Sequence, residues 1–376
     1  MKVLLTCGGT AGHINPAVAV ASKLINDNPD CEILFVGAQD RMETKLVPEE
    51  GFEISTVKIT NISRSISVKG LIHNFNTVRN VFLSTSQAKE IIKSFRPDVV
   101  IGTGGYVCYP VLTAASSLHI PTIIHESNAQ PGLTTKLLAK KADRILVGFE
   151  HCREAYSDSN KVIVTGTPVR QAFYERDDDE ARNETEAEGK PLVLSFWGSL
   201  GAEHMNNVML DLIPLIKKKQ FQLIHVTGSM YYKMFMEKLV QIIPDYTNRG
   251  VEIHEYLHDM PRVMKTADLV ICRAGASTLS ELTFIGKPSI LVPSPNVTAN
   301  HQEKNARMLE KDGAAKVLLE GEFDAEKLLQ EINLMINDRK TLSRMGKSAA
   351  NLSQKDAAEK ICCIIRSVAR ESLGGE

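Results

Sequence analysis

The sequence predicts an α/β protein made of two doubly wound, parallel-sheet domains. Three observations carry that expectation. The chain has 376 residues, more than one hydrophobic core ordinarily organises. Short apolar runs alternate with longer amphipathic segments, which is the β-α-β rhythm of a parallel sheet covered on both faces. The rhythm stops at an acidic stretch and starts again near residue 190.

In the first half KVLLTC, EILFVG, DVVIGT, TIIHE, RILVG and KVIVTG read as buried strands, with helices over residues 16–26 and 87–95 among the segments between them. In the second half LVLSFWG, FQLIHVTG, GVEIHEY, DLVICR and SILVP repeat the pattern. Between them ERDDDEARNETEAEGK, residues 175–190, holds eight acidic and three basic residues and no large apolar one. That composition predicts a solvated linker, not a metal site on Asp177, Asp178 and Asp179. The expected domains are 1–166 and 190–350, joined by 167–189. Ala357, Ile361, Ile364, Ile365 and Val368 fall at helical spacing, so a closing helix is expected within 354–376. In such folds ligands bind beyond the carboxyl ends of the strands, here in the cleft between the domains.

Composition narrows the class. Hydrophobic residues make up 43%, charged residues 24%, and the net charge is -1, an ordinary soluble balance that gives no reason to expect nucleic acid. Seven cysteines with no C-x-x-C pair predict reduced thiols, not a disulfide framework or a structural zinc site. The opening MKVLLTCGG reads as a strand ending in glycines, too short for a secretory signal. No apolar run reaches the ~18 residues of a spanning helix, so any membrane contact should be peripheral.

Four kinds of motif carry chemistry. CGGTAGHINP follows the first strand and opens the first helix. Gly8, Gly9 and Gly12 let backbone amides approach a ligand at a helix N-terminus. His13 reads either as a helix-start histidine bonded to backbone or as a general base facing the cleft. CRAGASTLSELTFIGKP places a second helix N-terminus, expected near Ser277 or Thr278, after the strand ending at Arg273; its amides suit a pyrophosphate. Glu281 reads either as the partner of Thr278 in a capping box or as an acceptor for ribose hydroxyls. HESNAQPG (125–132), GTPVR (166–170), FWGSLGA (196–202) and NHQEKNA (300–306) each follow a strand or open a helix. HEYLH (254–258) matches the zinc motif H-E-x-x-H. That motif needs both histidines on one helix, and GVEIHEY alternates like a strand, so the zinc reading is set aside.

In this order the motifs resemble glycosyltransferase family 28, the peptidoglycan N-acetylglucosaminyltransferases that convert lipid I to lipid II. The resemblance rests on GGTAGHINPA, GGYV (104–107), HESN, GTPVR, WGSLGA, CRAGASTLSE and the HQxxNA pattern at 301–306, and runs over nearly the whole chain. It implies the GT-B fold, two Rossmann-like domains with the last helix returning to the first. It implies UDP-GlcNAc as donor and undecaprenyl-pyrophosphoryl-MurNAc-pentapeptide, lipid I, as acceptor, joined by a single inverting displacement at C1. It also implies partners among other cell-wall synthesis and division proteins.

Residue roles follow from the same resemblance. The loop Ala276, Ser277, Thr278, Leu279, Ser280 and Glu281 should hold the diphosphate and ribose, with Ser199 and Arg170 on the phosphates. Gln302 and His301 should meet sugar hydroxyls, and Leu257 should contact the uracil. Thr10, Ala11, Gly12 and Asn128 should line the first-domain side, with His13 as the base. Ala11 stands where the family commonly has glycine. No cofactor and no metal are expected: helix-end amides and Arg170 can stabilise the leaving diphosphate, and no D-x-D pair ends a strand.

Residues 54–89 contain no acidic side chain but include Lys58, Arg64, Lys69, Arg79 and Lys89. Leu71, Phe75, Val78 and Phe82 fall on one helical face. That face is either core or a dock on an anionic membrane. The expected location is peripheral, on the cytoplasmic side of the cell membrane. The rivals are a UDP-GlcNAc 2-epimerase, another GT-B glycosyltransferase, and a non-catalytic nucleotide-sugar-binding protein. A nicotinamide oxidoreductase is weaker, because Cys7 replaces a fingerprint glycine and Gly37 stands where an acidic residue should end the second strand.

Overall fold

The computed structural model describes residues 1–59, 68–174, 190–198, 200–217 and 220–373, with side chains described except at 68–79, 298 and 372–373. The chain divides into two units, Met1–Arg170 with Gln354–Glu376, and Gln171–Ser353. The linker stretch 175–189, with its three aspartates, lies outside the described residues.

The first unit contains β1 (Lys2–Cys7), β2 (Glu32–Ala38), β3 (Ile54–Val57), β4 (Val99–Gly104), β5 (Thr122–Glu126), β6 (Arg144–Val147) and β7 (Val162–Val164). They form one parallel sheet in the order β3-β2-β1-β4-β5-β6-β7. Its helices are α1 (Ala11–Asp27), α2 (Glu43–Glu49), α3 (Val68–Phe95), α4 (Cys108–Ser117) and α5 (Leu133–Ala139). The second unit contains β8 (Leu192–Phe196), β9 (Gln222–Val226), β10 (Val251–His254), β11 (Leu269–Cys272), β12 (Ser289–Leu291) and β13 (Lys316–Val317). Its sheet is parallel, in the order β10-β9-β8-β11-β12-β13. The helices around it are α6 (Glu203–Leu212), α7 (Tyr232–Ile242), α8 (Met260–Thr266), α9 (Ala276–Phe284), α10 (His301–Lys311), α11 (Ala325–Asn337) and α12 (Arg339–Leu352). A last helix, α13 (Ala357–Leu373), belongs to the first unit. Two doubly wound parallel sheets are the fold class the sequence predicts.

Strand alternation builds the first core. Leu4, Val36 and Val100 face α3 and α4, where Ala88, Ile92, Val111 and Leu112 are buried with them. Val3, Leu5, Val99 and Ile101 face the other way, onto Ile14, Ala17 and Leu24 of α1 and Ile361, Cys362, Ile365 and Val368 of α13. Each fully buried Ile or Val of α13 is worth about 1.5–3 kcal/mol. The ion pairs of Arg366 with Asp27 and of Lys23 with Glu359 are partly exposed and add little beside that.

Two expected helices are longer than their apolar pattern. Helix α1 begins at Ala11, five positions before Pro16, which lies inside it. The amide bond that Pro16 cannot make is tolerated where Ile14 and Ala17 pack into the core. The expected helix over 87–95 is the end of α3, which runs from Val68. Strands β3 and β13 were not anticipated.

In both sheets the chain reverses its direction of winding, between β1 and β4 and between β8 and β11. Ligand sites in such sheets form beyond the strand carboxyl ends at this reversal. The loops there are Gly8–Thr10 and 105–107 in the first unit, and 197–202 and 273–275 in the second. These are the glycine-bearing motifs.

Candidate active site

The loop after β1 is held by two neighbours. Gly8 donates its amide to the Gly104 carbonyl at 3.2 Å, and a Cβ on Gly105, at φ +91°, would lie 2.3 Å from the Gly8 carbonyl oxygen. From below, buried Glu43 accepts the amides of Gly9 (3.1 Å) and Ala38 (2.9 Å). His13 then sits in the first turn of α1, with its ring against the Cα of Gly104. Its backbone carbonyl accepts the Thr103 hydroxyl at 2.7 Å.

The ring orientation has a chemical consequence. Nδ1 of His13 lies 2.9 Å from the Gly8 carbonyl oxygen. A carbonyl only accepts, so Nδ1 carries the proton and donates. The neutral ring therefore keeps the lone pair on Nε2, which suits a general base. Thr10 is exposed and caps α1 without a side-chain bond, its hydroxyl 3.5 Å from the same Nδ1. Ala11 and Gly12 are half-buried beside it.

Asn128 is fixed by a carboxylate. Buried Glu126 ends β5 and accepts the Asn128 amide (3.0 Å), the Asn128 Nδ2–H (2.8 Å), the Gly132 amide (2.9 Å) and the Thr135 hydroxyl (2.8 Å). Beside it His125 donates from Nε2 to the Gly166 carbonyl at 3.0 Å and accepts the Ser127 hydroxyl at 3.3 Å. Arg170, the last residue of this unit, is half-buried. Glu43 and Glu126 were not singled out from the sequence. The available signal was a carboxylate ending an apolar strand run at 126 and heading a short helix at 43.

In the second unit, Gly275 and not Thr278 is the N-cap of α9. Thr278 lies inside the helix, so the capping-box alternative for Glu281 does not hold. The earliest helical amide bond runs from Leu279 to the Gly275 carbonyl at 3.0 Å. The Ala276 and Thr278 amides precede that ladder and face outward at the positive end of the helix. A Cβ on Gly275 would meet nothing within 4 Å, leaving the approach to this turn open. Leu279 is fully buried and anchors the turn, while the Ser280 hydroxyl donates to the Ala276 carbonyl at 3.0 Å. Ser277 is half-buried; Glu281 is only 6% exposed.

Arg273 is structural: it donates to the Val292 and Pro293 carbonyls, pairs with Glu320 and stacks over Trp197. Gln302 is oriented by the Ser294 amide, which donates to its Oε1 at 2.9 Å. His301 opens α10 directly after Ala299 (φ +54°) and Asn300 (φ +51°), two left-handed positions that cost strain. Ser199 lies outside the described residues. On its C-terminal side the chain is held tightly: a Cβ on Gly201 would sit 2.0 Å from the Thr227 carbonyl oxygen.

A buried relay sets that carbonyl. Ser195 donates to His225 Nδ1 (2.7 Å), His225 Nε2–H to Asn206 Oδ1 (3.2 Å), and Asn206 Nδ2–H to the Thr227 carbonyl (2.9 Å). Burial pushes His225 down to about 3 and also lowers His125. Unfolded, both titrate near ~6.5. Below that pH the unfolded chain takes up protons that the folded units exclude, so stability is full above 6.5 and falls as pH drops toward 3. Unfolding free energies from urea titrations between pH 7.5 and 5 should therefore decline, with a limiting slope of about 1.4 kcal/mol per pH unit per histidine. His225→Asn should flatten the decline for the second unit; an unchanged slope would show that the ring is not held neutral.

HEYLH does not lie on a helix. His254 ends β10, His258 lies in a turn, and α8 begins at Met260 with Pro261 second. Leu257 is half-buried in the connecting loop. On the membrane-facing expectation, Phe82 of α3 is 74% exposed, while the side chains of Leu71, Phe75 and Val78 lie outside the described residues.

Comparison with known proteins agrees with this geometry. Residues 3–147 match the glycosyltransferase family 28 N-terminal domain and residues 192–361 the glycosyltransferase family 28 C-terminal domain. The chain belongs to glycosyltransferase family 28. It is 43% identical, over the full length of both chains, to the UDP-N-acetylglucosamine–N-acetylmuramyl-(pentapeptide) pyrophosphoryl-undecaprenol N-acetylglucosamine transferase of Acetivibrio thermocellus. It is 39% identical, over 98% of this chain and 99% of the other, to the transferase of the same name from Listeria monocytogenes. The crystal structure of Acinetobacter baumannii MurG superposes with a TM-score of 0.75 at 26% identity, covering 97% of this chain and 99% of that one. The Staphylococcus aureus MnaA–UDP structure, at 16% identity and a TM-score of 0.70 over 98% of this chain and 97% of that one, shares the fold alone.

Proposed function

We infer that this chain is the N-acetylglucosaminyltransferase that moves GlcNAc from UDP-GlcNAc to the 4-hydroxyl of the MurNAc of lipid I, making lipid II. The observation that carries the reading is the full-length 43% identity to an enzyme of that name. The site supplies matching parts. Nε2 of His13 removes the hydroxyl proton as the oxygen bonds to C1 of GlcNAc. The C1–O bond to the diphosphate breaks with inversion, and UDP leaves with the electron pair. The Gly8 carbonyl, already bonded to Nδ1–H, stabilises the imidazolium that results. The outward amides of α9 and Arg170 receive the growing charge on the diphosphate, and Glu281 accepts the ribose hydroxyls.

The test is UDP release from UDP-GlcNAc in excess EDTA, with and without a short-chain lipid I analogue. Acceptor-dependent release with a new disaccharide supports the reading. Acceptor-independent release would favour an epimerase or hydrolase, and restoration only by a divalent ion would overturn the metal-free leaving-group account. Glu281→Ala should weaken UDP about 10–100-fold, the worth of one or two charged hydrogen bonds. It should also abolish the preference for UDP over 2′,3′-dideoxy-UDP. A preserved preference would remove Glu281 from the ribose.

We also propose peripheral docking on the cytoplasmic leaflet. No helix among the described residues is long and apolar enough to cross a membrane. Phe82 and Leu83 on α3 are 74% and 49% exposed; Leu133 and Leu137, one turn apart on α5, are 63% and 52% exposed. Lys136, Lys140 and Lys141 flank the latter pair, and both helices pack on α4. Apolar side chains among cations suit an anionic interface. Phe82→Ser with Leu133→Ser should weaken binding to phosphatidylglycerol vesicles more than tenfold; unchanged sedimentation with vesicles would exclude this face.

A further inference from the structure

We propose that the second unit carries a separate anion site, at the amino-terminal end of its sheet, for a compact phosphate-bearing ligand. A cavity of about 890 Å³ opens there. Its walls include Lys190 and Pro191 leading into β8, Asp268 before β11, Lys287 and Pro288 before β12, and one side of α12. The loops assigned to the donor follow the opposite, carboxyl ends of these same parallel strands. The cavity therefore belongs to a different end of the sheet.

Its charge is lopsided. Among the described residues five cations line it, Lys190, Lys265, Lys287, Arg339 and Lys347, against the single carboxylate of Asp268. That carboxylate is engaged, accepting the Leu192 amide at 2.8 Å. A second hollow of about 520 Å³ runs along α12, shares Arg339, Ser343 and Lys347, adds Lys340 and Arg344, and has no acidic residue among the described residues that line it. The whole chain has a net charge of -1, so this positive field is local.

The pattern on α12 is specific. Arg339, Ser343 and Lys347 recur every four residues and share one helical face, and all three are exposed. Neither Arg339 nor Lys347 has an ion-pair partner among the described residues. Basic residues on other helices are laced with carboxylates: Lys327 with Glu331, Arg307 with Glu303 and Glu310, Lys360 with Asp356. Helix α12 has no acidic side chain at all. The other cations have partial duties. The Lys287 ammonium donates to the Lys265 and Ala267 carbonyls at the end of α8, so it pins that helix while adding to the field.

Depth comes from close backbone packing. A Cβ on Gly346 of α12 would lie 2.7 Å from the Gly286 carbonyl oxygen. Helix α12 thus lies directly on the α9–β12 turn, with Ile285, Ile336 and Leu342 as apolar walls under the cationic rim. An anion seated there gains charge-assisted hydrogen bonds from a guanidinium, an ammonium and a hydroxyl together. It also relieves repulsion among like charges.

The probe is inorganic pyrophosphate, titrated calorimetrically into full-length protein already saturated with UDP, in EDTA. Parallel sedimentation uses phosphatidylglycerol–phosphatidylcholine vesicles. We expect one further saturable site, weakened at least tenfold in Arg339→Gln with Lys347→Gln and weakened steeply by salt. Both positions are exposed and lie outside the donor and acceptor machinery, so basal transferase activity and thermal midpoint should be unchanged in the double variant. Loss of pyrophosphate binding assigns a soluble phosphate ligand, and loss of vesicle binding assigns a lipid headgroup; either upholds the site. If the double variant binds both probes as the native protein does, or if UDP-saturated native protein binds neither, the proposal is overturned.

Discussion

His13→Ala is expected to lower kcat by about 10²–10⁴-fold, the usual worth of a positioned general base, while UDP-GlcNAc binding changes by no more than about threefold. The asymmetry follows from the geometry. The Nδ1–H bond to the Gly8 carbonyl leaves Nε2 as the proton acceptor, and the ring has no partner role at the α9 turn that is assigned to the donor. Steady-state kcat and KM with a soluble acceptor analogue, together with calorimetric UDP-GlcNAc binding, separate the two effects. An equal fall in kcat and in donor affinity would show that the ring organises the loop and does not take the proton. Gly104→Ala supplies an independent check. Its Cβ would lie 2.4 Å from Cδ2 of His13, at φ +124°, so the imidazole must turn aside. The loss should again appear in kcat.

Gly201→Ala should be strongly damaging to the second unit. The new Cβ would sit 2.0 Å from the Thr227 carbonyl oxygen, at φ +84°. That oxygen is main chain and already accepts Asn206 Nδ2–H, so nothing flexible can yield. The left-handed conformation alone costs about 1–2 kcal/mol, and the displaced loop adds to it. At about 2–4 °C per kcal/mol for a domain of this size, the midpoint of the second unit should fall by several degrees. UDP affinity should fall at least about tenfold, since the loop that follows β8 moves with it. Gly198→Ala is the matched control: its φ is +91°, but its Cβ would meet nothing within 4 Å, leaving strain without collision. Equal loss of thermal stability in the two variants would show that backbone strain, not the contact with Thr227, governs the loop.

The sequence announced eleven strands because a parallel strand covered on both faces is an uninterrupted apolar run. The two it did not announce are β3 and β13, which lie at sheet edges. ISTV is half polar and β13 is two residues long, so neither makes such a run. Helix limits were less legible for a related reason. The segment 87–95 carries Ala88 and Ile92, which are buried with the sheet residues, and the apolar face at 71–82 reads as a separate helix from it. The capping pattern at Thr278 predicts a helix start near Ser277 or Thr278, whereas the helix begins at Ala276 with Gly275 as its N-cap.

By itself the sequence determined the α/β class, the reversal loops as glycine-rich segments, and the identity of the groups available for chemistry: an imidazole, a helix-end amide cluster, a glutamate and an arginine. It did so because periodicity and glycine placement are local consequences of backbone geometry. The tertiary structure decided which ring nitrogen of His13 holds the proton, because the Gly8 carbonyl is fixed by Gly104 and Glu43 from elsewhere in the chain. It decided that Glu126 clamps Asn128, that Arg273 serves the fold, and that cations from α8, α12 and the segments leading into β8 and β12 meet around one cavity. Each of these depends on residues far apart in sequence meeting at one place, and no local period records such a meeting.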